Sequence, residues 1–82
     1  MWYKELKNNL IKLQPKEEIQ IDGGKILIPE SKGRIFLHWY NEKGKLVNSH
    51  QLKFATLVTN SVKLINPEAT EATILQIDAP ST

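Results

Sequence analysis

The sequence predicts a small antiparallel β-sandwich or partly open barrel of about six to eight short strands, with a short N-terminal helix or arm. Three observations lead there. Short runs of β-branched and aromatic residues recur along the chain. Glycine, proline and asparagine punctuate them at close spacing. Beyond the amino-terminal stretch, no segment carries the three-to-four-residue apolar period of a helix.

The clearest element is residues 34–54. Two strand-like runs, Arg34 to Tyr40 and Leu46 to Phe54, flank Asn41-Glu42-Lys43-Gly44-Lys45. Asn41 can open a turn, and Gly44 can take the left-handed conformation of a three-residue loop with a bulge. If Asn41 faces Lys45, Tyr40 opposes Leu46, Trp39 opposes Val47, His38 opposes Asn48 and Phe36 opposes His50. Alternation then puts Ile35, Leu37, Trp39, Val47, Ser49 and Gln51 on one face. The other carries Phe36, His38, Tyr40, Leu46, Asn48, His50 and Leu52. The first run is apolar or aromatic on both faces, the pattern of a strand in the middle of a sheet.

From Trp2 to Leu13 the apolar residues Trp2, Leu6, Leu10 and Leu13 recur every three or four positions, which suggests an amphipathic helix ended by Pro15. The competing reading is an extended arm, because Asn8 and Asn9 are poor helix formers and Leu10 to Leu13 could add a strand. Residues 1–14 thus form a helix or arm, and residues 15–82 the sandwich domain. In Glu18 to Ile28, Gly23-Gly24 suits a two-residue primed turn that would set Ile21 against Ile26 and Ile19 against Ile28 on one face. No phosphate-binding fingerprint surrounds the glycine pair. Pro29 to Gly33 reads as a loop. Ala55 to Thr59, Val62 to Ile65 and Ala72 to Asp78 read as strands, with Asn60-Ser61 and Asn66-Pro67 as breaks.

Composition narrows the function classes. The chain has 82 residues, enough for one domain that buries only about 60% of its unfolded surface, so a partner or further copies could supply missing burial. It has no cysteine, which removes disulfides, thiolate metal sites and a cysteine nucleophile. The opening residues lack the apolar run of a signal peptide and no stretch reaches membrane-spanning length, so a soluble product made in the cytoplasm is expected. Net charge is only +2 but unevenly placed. Residues 1–63 hold all 11 Lys and Arg against six acids, and residues 64–82 hold three acids and no base. Such lopsidedness could favour head-to-tail contacts, although ordinary surface chemistry also accounts for it.

The aromatic strand running into Asn41-Glu42-Lys43-Gly44-Lys45-Leu46, with the later Asn66-Pro67-Glu68-Ala69-Thr70-Glu71-Ala72-Thr73-Ile74, resembles the late half of jelly-roll, carbohydrate-binding-module-like sandwiches. The resemblance covers about half the chain and implies a β-sandwich more than it implies sugar binding. The acidic loops that often hold structural calcium in that family have no counterpart here. In size and style the chain also resembles small virion proteins of tailed phages, such as capsid decoration, head-tail or baseplate components.

Phe36, His38, Tyr40, Asn48 and His50 form a mixed aromatic and polar strip in the expected register. Its rings could stack on a sugar, or centre a protein interface, or belong partly to the core. His38 and His50 could begin a metal site, but no acid is placed as a third ligand, so no metal or cofactor is expected. Lys43 and Lys45, with Arg34 and Lys53, make a basic end that leaves single-stranded nucleic acid as a weaker reading. No catalytic set is spaced for work. Trp2 and Tyr3, with Leu6, Leu10 and Leu13, need cover from the protomer's own sheet, another copy or a partner. The sequence therefore points to a non-enzymatic structural or assembly module working through protein contacts, with itself or a larger assembly as partner. The alternative is a carbohydrate-binding module using the Phe36, His38 and Tyr40 strip.

Overall fold

The computed structural model describes residues 8–79. It contains β1 (Asn8–Leu13), β2 (Glu18–Ile21), β3 (Lys25–Pro29), β4 (Phe36–Tyr40), β5 (Leu46–Gln51), β6 (Thr56–Val58), β7 (Val62–Ile65) and β8 (Ala72–Asp78). Two four-stranded antiparallel sheets result: sheet A in the order β1-β8-β3-β6, and sheet B in the order β2-β7-β4-β5. They enclose one core, to which Leu13, Ile21, Leu27, Leu37, Val58, Leu64 and Ile74 bring one side chain from every strand except β5. The expected small β-sandwich is what forms. The strands Val62–Ile65 and Ala72–Asp78 have the bounds their composition suggests.

Only the β4–β5 connection stays within a sheet; every other connection between consecutive strands crosses from one sheet to the other. That corrects the reading of Gly23-Gly24. The pair does not close a hairpin, because β2 pairs with β7 while β3 pairs with β8 and β6. Gly24 adopts φ 80°, and a Cβ on Gly23 would lie 2.3 Å from the Thr59 carbonyl oxygen. Glycines are needed here for a close backbone approach and a pivot between layers. The four isoleucines consequently do not share a face. Ile21 enters the core, whereas in β3 the core residue is Leu27, so Ile26 and Ile28 turn the other way.

The helix expected through Leu13 does not form over residues 8–13. These residues are β1, paired with β8 from Asn8↔Ile77 to Leu13↔Ala72. A helix so short has little intrinsic stability, and as a strand the segment satisfies the outer hydrogen-bonding edge of β8 while burying Leu13 completely. Strand alternation also separates Leu10 from Leu13, which the helical spacing would have placed together. The expected helical positions Trp2 and Leu6 lie outside the described residues.

Asn66 holds one end of the sandwich. Its side chain is fully buried and its Nδ2 donates to the carbonyls of Leu13, Gln14 and Thr70, at 3.1, 3.1 and 2.8 Å. Its Oδ1 accepts from the Glu68 amide at 3.0 Å. One side chain thus ties the β1–β2 crossing to the β7–β8 crossing. The sequence marked Asn66 only as a break before Pro67.

Candidate functional site: the β4–β5 hairpin

The hairpin loop forms as its residues suggest. The Asn41 amide donates to the Lys45 carbonyl and the Gly44 amide to the Asn41 carbonyl, both at 2.9 Å. Asn41 Oδ1 accepts from the amides of Lys43 and Lys45, and Gly44 has φ 79°. Tyr40 does oppose Leu46. The next pair is Trp39↔Asn48, because Val47 is an extra, unpaired residue in β5. A one-residue bulge changes the facing of every residue beyond it.

The expected strip is therefore split. Phe36, His38 and Tyr40 lie on the outer face of sheet B, with ring centroids 6.4 Å apart for Phe36 and His38 and 6.3 Å for His38 and Tyr40. Asn48 and His50 face the opposite way, and the His50 ring stands edge-on to Trp39 at 5.6 Å. His38 and His50 cannot share a ligand. Among the described residues, no group of three His, Asp or Glu side chains is placed to hold a metal. No helix is long and apolar enough to cross a membrane, again among the described residues.

On the outer face, β7 supplies what the sequence reading missed. Lys63 sits opposite His38, reaches Glu18 at 3.4 Å and places its Nζ 5.0 Å from the centre of the Tyr40 ring. A shallow concavity of about 180 Å³ is lined by Gln20, His38, Tyr40, Ser61, Val62 and Lys63. Alternation in Val62-Lys63-Leu64 does signal that Lys63 faces outward, but nothing local says that β7 lies beside β4.

The basic end is partly neutralised. Arg34 Nη2 donates to Glu68 Oε1 at 3.1 Å, and this bond holds the Glu68 carboxyl below its ordinary value of 4.5. Lys43 and Lys45 remain exposed at the hairpin tip.

The remaining feature is the edge. Among the described residues β5 pairs only with β4, and all six of its residues are exposed. Val47 is 62% and the nearby Phe54 76% exposed. The polar run Asn48-Ser49-His50-Gln51 is the signal in the sequence that this strand lacks a core-facing side. Its ladder continues where the Leu52 amide donates to the Ile35 carbonyl, so the Ser49 amide, three residues earlier, points to the open side. There Asn48 Oδ1 accepts from it, at 3.0 Å. Of the other residues expected at a contact, Leu10 is exposed on sheet A, Leu13 is inside the core, and Trp2, Tyr3 and Leu6 lie outside the described residues.

No protein-family model, curated protein or solved structure matches the chain.

Proposed function

We propose that the protein is a non-enzymatic assembly module whose working contact is the free edge of β5, to which a strand of another copy or of a larger assembly adds. The exposure of the whole of β5 carries this reading. Beyond the bulge at Val47 it presents a regular edge from Asn48 to Gln51 with no Lys, Arg, acid or proline, and such edges recruit strands unless something blocks them. Exposed Leu46, Val47 and Phe54 beside it would gain from being covered. The strand order, with crossings at every connection but one, supports a jelly roll, an architecture that serves both shell-forming and sugar-binding proteins. A place in a phage virion is compatible with that architecture and with the size of the chain.

Sizing by light scattering over a range of concentrations tests the contact. Wild-type chain should grow in mass with concentration. Ser49→Pro should remain monomeric with an unchanged circular dichroism spectrum, because it removes an amide that points away from β4. Added salt should favour the wild-type assembly, since an antiparallel β5 pair brings Lys45 of one copy towards Lys53 of the other. A chain that stays monomeric throughout removes self-assembly from the proposal and leaves only a heterologous partner.

A second reading rests on the outer face of sheet B, where Tyr40, His38, Gln20 and Lys63 surround the concavity and could receive one sugar ring. A glycan array with no signal, or one indifferent to Tyr40→Ala, retires it.

A further inference from the structure

The outer face of sheet B carries a column of rings. Leu37 and Leu64 point into the core, so alternation turns Phe36, His38 and Tyr40 of β4, and Lys63 of β7, the other way. Pairing sets Gln20, Lys63, His38 and Ser49 in one polar row across all four strands, at right angles to the column. Phe36 and Tyr40 bracket that row. Successive rings stand 6.4 and 6.3 Å apart, too far to be stacked on one another. The step is about twice the 3.4 Å rise of stacked bases along one strand of a duplex. Charge follows the same element. Residues 34–54 hold four basic residues, Arg34, Lys43, Lys45 and Lys53, against one acid, Glu42, a net +3 where the whole chain has +2. The rest of the chain is therefore net negative, and all of the positive excess sits on the hairpin that bears the rings.

We propose that this face binds single-stranded nucleic acid, with bases lying on the rings of Phe36, His38 and Tyr40 and phosphates meeting Lys63, Lys43 and Lys45. Aromatic side chains accept the flat face of any base, and an imidazole serves as a phenyl ring does. A ring spacing this wide suits a stretched strand whose bases are separated from one another, which a duplex cannot offer without melting. Cations stand where the backbone would run. Lys63 Nζ lies 5.0 Å from the centre of the Tyr40 ring, beside the column, and Lys43 and Lys45 are exposed at the hairpin tip beyond Tyr40. Arg34 and Lys53 stand at the other end, beyond Phe36, where Glu68 already holds Arg34. Glu18, which reaches Lys63 at 3.4 Å, is the acid that a phosphate would displace, and an ion pair this exposed is weak enough to give way. Charge separates this occupant from a neutral sugar, which gains nothing from a positive hairpin. The rings lie on the flat of sheet B and β5 is its rim, so the inference does not rest on the assembly contact proposed above.

Fluorescence anisotropy of a labelled strand of about ten thymidines, titrated with the full-length chain at low salt, tests the proposal. Micromolar binding is expected, at least about tenfold tighter than to a blunt duplex of the same length. Tyr40→Ala should weaken it about five- to a hundredfold, the effect of losing one stacked base. Lys43→Ala combined with Lys45→Ala should reduce the slope of log affinity against log salt by about one, since two phosphate contacts are lost. An absence of binding at about 100 µM protein, the weak end of non-specific association, overturns the proposal. Duplex binding of equal strength also overturns it, as does an affinity indifferent to Tyr40→Ala, which reduces the interaction to bulk charge. A polyuronate that displaces the strand and binds more tightly assigns the face to an acidic polysaccharide and overturns it as well. Should Tyr40→Ala fail to fold, the ring resonances of the wild-type chain decide the question. Shifts of the Phe36, His38 and Tyr40 ring protons on adding the strand support stacking, and shifts confined to the lysines refute it.

Discussion

At Asn41–Lys45 the chain turns back beside itself within sheet B, whereas at Gly23-Gly24 it leaves sheet B and enters sheet A. Both reversals use a glycine with φ near 80°. Their surroundings differ. A Cβ on Gly44 would meet nothing within 4 Å, while one on Gly23 would collide with the backbone at Thr59. The hairpin is held by its own amides and by Asn41 across a few residues. The crossings depend on groups far away in sequence, such as the Thr59 backbone against Gly23 and the Asn66 side chain on Leu13, Gln14 and Thr70. A local reversal can be altered and the sandwich still close, whereas a crossing sets how the two layers meet.

The sharpest way to break this contrast is Gly23→Ala. The collision is with main chain, so the layers must shift; a loss of about 4 kcal/mol or more is expected in urea unfolding, enough to leave so small a domain largely unfolded. Next comes Asn66→Ala, which strands buried carbonyls at two crossings and should cost about 3 kcal/mol by the same measurement. Gly44→Ala meets no neighbour and has only the left-handed conformation against it, so about 1 kcal/mol is expected. Equal losses at Gly23 and Gly44 would refute the distinction. Asn41→Ala repeats the Asn66 experiment at an exposed, local site, where about 0.5 kcal/mol is expected because water replaces the lost bonds.

The smallest effect concerns pH. Glu68 has its pKa lowered on folding, chiefly by its hydrogen bond from Arg34. The stabilisation is therefore fully present above the ordinary carboxylate value, and it is lost as pH falls through the lowered native value. Glu68→Gln should lower stability slightly at neutral pH, leave it unchanged at low pH, and so flatten the acid limb of a stability–pH curve. An acid limb identical to wild type would show that this exposed pair contributes nothing.

Much of the site was legible for the same reason that the hairpin is robust. Asn41 and Gly44 act within the loop, so the loop and its first pair, Tyr40↔Leu46, follow from residue type. The bulge at Val47 was not legible. Leu46-Val47 suits a regular ladder as well as a bulged one, and the choice rests on which β5 residues turn towards Leu37 and Trp39. That single extra residue moved Asn48 and His50 off the face of Phe36, His38 and Tyr40. Lys63 and Gln20 joined that face only because β7 lies beside β4 and β2 beside β7, a neighbourhood that no short window of sequence contains.

By itself the sequence determined roughly where the strands after Pro15 fall, that the fold is antiparallel β, and how the Asn41–Lys45 loop turns, because dihedral preference, alternation and turn chemistry act over a few residues. Tertiary structure alone decided that Gly23-Gly24 joins two layers, that residues 8–13 are a strand, and that Lys63 stands beside His38 and Tyr40. Those outcomes depend on which distant strand offers unsatisfied amides and an uncovered surface, and that competition is settled only when the whole chain is assembled.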